Sequence, residues 1–86
     1  MDATALTVVS QLITDARSRF GTANVEALAV ERSLFDGTME QVLALGGDVS
    51  LDVCVVDGIT VRELREGGET PLVYLKDADE AQPLPS

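Results

Sequence analysis

The sequence has no histidine and no tryptophan, and its 86 residues include one cysteine, one tyrosine and two phenylalanines. The absence of histidine removes the commonest general base and the commonest nitrogen ligand for metals. The single cysteine, Cys54, excludes an internal disulfide and cannot form a thiol–imidazole pair. We therefore predict a protein that is not an enzyme, that uses no cofactor and no metal, and in which Cys54 is a small buried apolar residue.

Positive charge is also scarce. Six Lys and Arg residues stand against fifteen Asp and Glu residues, which gives a formal net charge of −9 at pH 7. Phosphate groups of nucleic acids and anionic lipids need cationic partners, so we expect no direct binding to nucleic acid or membrane. The charge favours a partner with a basic surface. With a lone cysteine, no signal peptide and no apolar run of membrane-spanning length, we expect a cytoplasmic protein.

The first twenty residues have the periodicity of an amphipathic helix. Asp2 is placed to cap its amino terminus and Gly21 to end it. The apolar residues that recur at helical spacing are Leu6, Val9, Ile13, Ala16 and Phe20. This segment predicts a helix from Ala3 to Phe20 with one apolar face.

A 21-residue pattern then occurs twice without a gap, in 27–47 and in 48–68. Asp36-Gly37 aligns with Asp57-Gly58, and Gly46-Gly47 aligns with Gly67-Gly68. An Asp-Gly pair between alternating residues is typical of a two-residue hairpin turn. We predict a β-hairpin in each copy, followed by a further strand at 70–76.

The helical interpretation of the first copy remains open. Asn24 is placed to cap a helix, and Thr38 with Gln41 forms a capping-box pattern before an apolar run. The segments 25–35 and 38–45 are therefore strands in one interpretation and helices in the other.

These elements predict a two-layer α+β domain over residues 1–76. In it, the N-terminal helix packs on an antiparallel meander of four to five strands. The alternative is a small all-α bundle. Residues 77–86 are acidic and contain two prolines, so we expect a disordered tail there.

One helix covers only one face of such a sheet, and the second face is also apolar. The residues predicted on this second face are Phe35, Val42, Cys54, Val56, Ile59, Val61 and Val73. An exposed patch of this kind marks an interface. We predict a non-enzymatic protein–protein interaction module, a small acidic adaptor, assembly component or inhibitor. It would bind another protein or form a homodimer through the face or an edge of the sheet.

Two alternative functions have some support in the sequence. The high negative charge is compatible with an inhibitor that mimics nucleic acid. In addition, residues 47–52, Gly-Asp-Val-Ser-Leu-Asp, resemble the Asp-Ser-Leu motif of acyl carrier proteins, and Ile59 to Leu64 is similar to their last helix. This resemblance implies a small acidic helical bundle that carries a phosphopantetheine arm on Ser50.

Overall fold

The computed structural model describes residues 4–47, 49–50, 52–64 and 70–84. The elements are α1 (Ala5–Phe20), β1 (Val25–Val30), α2 (Arg32–Ala44), β2 (Val53–Val56), β3 (Ile59–Glu63), β4 (Leu72–Leu75) and β5 (Gln82–Pro83). The five strands form one sheet in the order β2-β3-β1-β4-β5. The predicted α+β class with an N-terminal helix is confirmed, and the alternative all-α bundle is wrong.

Helix α1 forms much as its sequence pattern predicts. It begins after Thr4, whose side-chain oxygen accepts a hydrogen bond from the N–H of Thr7 at 3.1 Å. It ends at Gly21, whose φ of 98° suits glycine, so the predicted stop is confirmed. The predicted cap, Asp2, lies outside the described residues. The buried face of α1 consists of Val9, Ile13 and Ala16.

The second predicted hairpin is present with the register that its turn residues imply. Val55 pairs with Thr60, and Val53 pairs with Arg62. Asp57 and Gly58 have φ values of 52° and 78°, as a two-residue turn with positive φ at both central positions requires.

The first predicted hairpin is wrong, because Asp36-Gly37 lies inside α2 rather than in a turn. Only 25–30 of the disputed segments is a strand, and 32–44 is helical. The flanking residues explain the difference. Leu34, Met39 and the Glu40-Gln41 pair are good helix formers, whereas Asp57-Gly58 lies between β-branched valine and isoleucine.

The helix α2 changes the topology of the sheet. The chain passes through α2 and β2 between β1 and β3, and β3 pairs with β1 in parallel. The other strand pairs are antiparallel. The sheet is therefore mixed, and the predicted antiparallel meander is corrected in this respect.

In the segment predicted as a disordered tail, the described residues, 77–84, include residues that pack against the sheet. In β5, Pro83 pairs with Leu72 of β4. The next residue, Leu84, is fully buried, and its N–H donates to the carbonyl of Pro71 at 2.8 Å. One apolar side chain and a short strand hold this acidic segment on the sheet.

Candidate interaction surface

The strand registers sort the residues of the sheet into two faces. One face packs on the buried sides of α1 and α2 and forms a single apolar core with them. The strand residues of this core are Val25, Leu28, Val30, Cys54, Val56, Ile59, Val61, Val73 and Leu75. Because side chains alternate along a strand, the residues between these point to the other side.

This other side is called here the open sheet face. Across the strands, Val55, Thr60, Ala27 and Tyr74 form one row. A second row contains Val53, Arg62, Ala29 and Leu72. None of these eight residues belongs to the core shared with the helices. Among the residues that the structure describes, no helix lies over this face.

The open sheet face is apolar with one charge. Val55 is 37% exposed, and Val53, Leu72 and Tyr74 are half-buried. Arg62 is exposed and is the one charged residue in the set of eight. Its guanidinium carbon lies 5.4 Å from the centre of the Tyr74 ring, within the range of a cation–π interaction.

The floor of the face consists of two small residues on the central strand. Ala27 and Ala29 are each only 2% exposed, although no described helix covers them. Arg62 and Tyr74 stand on the strands to either side and meet above β1. Arg62 is paired with Ala29 and Tyr74 with Ala27, so these longer side chains flank the two alanine methyl groups.

The seven residues predicted at the interface do not lie on this surface. Phe35, Val42, Cys54, Val56, Ile59, Val61 and Val73 are all at most 5% exposed and belong to the core. These residues therefore do not form a free surface in this fold. The reason is α2, which the hairpin interpretation replaced with strands. Phe35 and Val42 lie on the buried side of α2, and the other five lie beneath the two helices.

The alternation along the strands was identified from the sequence, but the covered and the uncovered face were assigned the wrong way round. The prediction of Cys54 and Val56 on the uncovered face assigns the alternating residues Val53 and Val55 to the face beneath the N-terminal helix. Period-two alternation separates the two sets of side chains, but it does not say which set a helix covers.

Both edges of the sheet offer little free backbone over the described residues. Along β2, Val49 forms a bridge with Cys54, and the N–H of Ser50 donates to the carbonyl of Val53 at 2.9 Å. At the opposite edge, β5 is two residues long and contains a proline. Short strands and proline protect a sheet edge from pairing with another chain.

A groove of about 510 Å³ lies between α1, the end of α2 and the β2–β3 turn. Polar contacts at its rim connect the turn to α1. The Asp57 carboxylate accepts a hydrogen bond from the Ser10 hydroxyl at 2.6 Å, and Arg17 donates to the Asp57 carbonyl at 2.7 Å. These contacts hold the hairpin tip in place, so the polar groups of the groove already have a structural role.

A second cavity, of about 720 Å³, lies between α2 and the start of β2. Arg32 contacts Asp36 at 3.9 Å and Glu63 at 3.6 Å, and Arg62 lines the same cavity. Asp52 is a third carboxylate at this cavity, whereas the guanidinium group of Arg62 lies over Tyr74 on the open sheet face. The cavity therefore has no excess of positive charge with which to hold an anion.

The residues considered for chemistry are not arranged as a reactive site. Burial raises the pKa of the Cys54 thiol, which keeps it in its less nucleophilic form. Ser50 is exposed and lies beside β2, not at the start of a helix as in a carrier-protein bundle. Within the described ranges, no three His, Cys, Asp or Glu side chains are grouped so as to hold a metal ion.

None of the described helices is long and apolar enough to cross a membrane. No protein-family model matches the sequence, and comparisons with curated proteins and with solved structures find no match. The functional argument therefore depends on the surface itself.

Proposed function

We propose that this protein is a non-enzymatic interaction module that binds another protein through the open sheet face. One observation supports this most directly: a sheet with helices on one side carries valine, leucine and tyrosine side chains on the other. Removing contiguous, half-buried apolar side chains from water lowers the free energy of a complex relative to its separated partners.

The edges and the charge support the same proposal. Both edges of the sheet are partly blocked, so a partner would bind the open sheet face rather than add a strand to an edge. Arg62 is the only charged residue of the eight on the face, so all the negative charge of a chain with a net charge of −9 lies elsewhere. Long-range attraction would steer a partner with a basic surface, while the apolar face would supply the affinity.

The carrier-protein alternative has lost its structural support, because that resemblance implies a helical bundle and the fold is α+β. The nucleic-acid mimic requires a row of carboxylates, and no observation on the described surface favours it over the apolar face. Adaptor, assembly component and inhibitor remain equivalent descriptions at this level, since each acts by binding.

Site-specific photocrosslinking in the source organism tests the proposal. A benzoylphenylalanine residue replaces Val55 on the open sheet face, and in a matched variant it replaces Ser18, which is exposed on α1. We expect discrete protein adducts from position 55 and none of the same mass from position 18. Adding Tyr74→Asp should remove the adducts, because it places a charge in the apolar row.

Equal adducts from both positions, or none from position 55, would contradict the proposal. Far-ultraviolet circular dichroism of each variant checks that the fold is retained. Val55→Asp serves as a second disruption of the face, since its side chain is 37% exposed and the fold depends less on it.

A further inference from the structure

We infer that the partner occupies the open sheet face with a single amphipathic helix, which brings a carboxylate to Arg62. This inference rests on the proposed function and specifies the partner of the same surface. It depends on three properties of the face: its dimensions, its single charge and the small residues along its central strand.

The two rows of the face form a narrow strip across four strands. The four strands β2, β3, β1 and β4 span about 19 Å, and four residues along a strand span about 13 Å. A helix, about 10 Å wide, matches these dimensions, and the opposite face of the same sheet already packs on helices.

The charge of the face argues against a second copy of this chain. Two copies packed face to face would bring one Arg62 toward the other and would join two chains that each carry a net charge of −9. A partner helix with one carboxylate avoids both repulsions, because a guanidinium group and a carboxylate form a charge-assisted pair. Arg62 has no carboxylate contact within 4.0 Å among the described residues, whereas Arg32 contacts two.

The central strand supplies a place for the helix. Ala27 and Ala29 are small, and the flanking strands carry the larger residues Thr60, Leu72 and Tyr74. The face is therefore lowest along β1. Arg62 is exposed, so a partner can displace its side chain from above β1 and pair a carboxylate with its guanidinium group.

Peptide selection against the purified full chain tests this inference. The probe is a display library of helical peptides of about 14 residues, or about four turns, with varied residues along one side. A second library contains linear peptides of random sequence. We expect enriched sequences to have apolar residues at helical spacing and Asp or Glu at one recurring position. Their affinity should fall at least tenfold with Tyr74→Asp or Val55→Asp.

Charge substitutions identify the role of Arg62. Binding should weaken at least fivefold with Arg62→Ala, and selection against Arg62→Glu should enrich Lys or Arg at the same peptide position. Arg19→Ala is the matched control, because Arg19 is an exposed arginine on α1 and its loss should leave affinity unchanged.

The outcomes separate the inference from the proposed function. Binders that depend on Tyr74 but lack helical spacing or the acidic residue would overturn the inference and leave the function standing. A dimer in sedimentation experiments that Tyr74→Asp and Val55→Asp abolish would do the same, with a second copy as the occupant. Peptides whose binding is unaffected by Tyr74→Asp and by Val55→Asp, or a selection without enriched peptides, would overturn the inference and the proposed function together.

Discussion

Arg62 on β3 and Tyr74 on β4 contact each other across β1, with the guanidinium carbon 5.4 Å from the ring centre. The two side chains can meet because the strand between them carries alanine at both facing positions, Ala27 and Ala29. A larger residue on β1 would occupy the space in which they meet. The contact therefore depends on the small residues of the central strand.

We expect this pair to stabilise the fold by a modest amount. Arg62→Ala, Tyr74→Leu and the double variant form a double-mutant cycle, and the coupling should be about 0.5–1 kcal/mol, as for a solvent-exposed cation–π pair. Denaturant unfolding of the four proteins measures it. Strictly additive changes would show that the two side chains are neighbours without a favourable interaction.

Gly37 allows the two helices to approach each other. A Cβ atom at this position would lie 2.9 Å from the Cβ of Ala5, which is closer than two such atoms normally come. Gly37→Ala should therefore destabilise the protein, although alanine is worth about 1 kcal/mol more than glycine within a helix. In the Ala5→Gly background the same substitution should become stabilising. Unfolding experiments that find Gly37→Ala stabilising in both backgrounds would contradict the close approach of α1 and α2.

Leu84 anchors the end of the described chain. Its side chain is fully buried, so Leu84→Ala should lower the free energy of unfolding by about 2 kcal/mol or more. Leu45→Ala is the matched control, because Leu45 is 75% exposed and its truncation should change stability by less than about 0.5 kcal/mol. Equal effects of the two substitutions in thermal and chemical unfolding would show that the segment after β4 is not packed as described.

The buried thiol of Cys54 should make stability fall at alkaline pH. Burial raises the pKa of Cys54 in the folded chain, so the unfolded chain loses its thiol proton first as the pH rises past about 8.5. Above that pH the unfolded state binds fewer protons than the folded state, and the free energy of unfolding decreases. Cys54→Ala should be less stable at neutral pH but should lack this part of the alkaline decrease. Parallel slopes for the two proteins between pH 7 and 10 would contradict this effect of burial.

The second hairpin was predictable because its local signals agree. Asp57-Gly58 supplies a turn that tolerates positive φ, and the β-branched residues on both sides favour strands, so turn and flanks indicate the same register. In the first copy, the same Asp-Gly pair lies among helix formers and becomes part of α2. A dipeptide alone therefore does not determine the structure of its neighbourhood.

The candidate surface was predictable only in part. The alternation in β2 and β3 correctly separated Cys54 and Val61 from Val53 and Val55, and the lack of cover on one face was inferred from the single predicted helix. The face that is covered depends on α2, which packs against sheet residues distant in the chain. Because α2 was not predicted, the covered face was taken for the uncovered one, and the predicted interface residues lie in the core.

The placement of β1 in the middle of the sheet also constrains the order of folding. The β2–β3 ribbon closes between residues that are neighbours in the chain, as Val56 pairs with Ile59. The middle strand, in contrast, joins partners from far along the chain, as Leu28 pairs with both Val61 and Val73. Closing such long loops costs entropy before any contact compensates for it, so we expect the β2–β3 ribbon to form before β1 is inserted between β3 and β4.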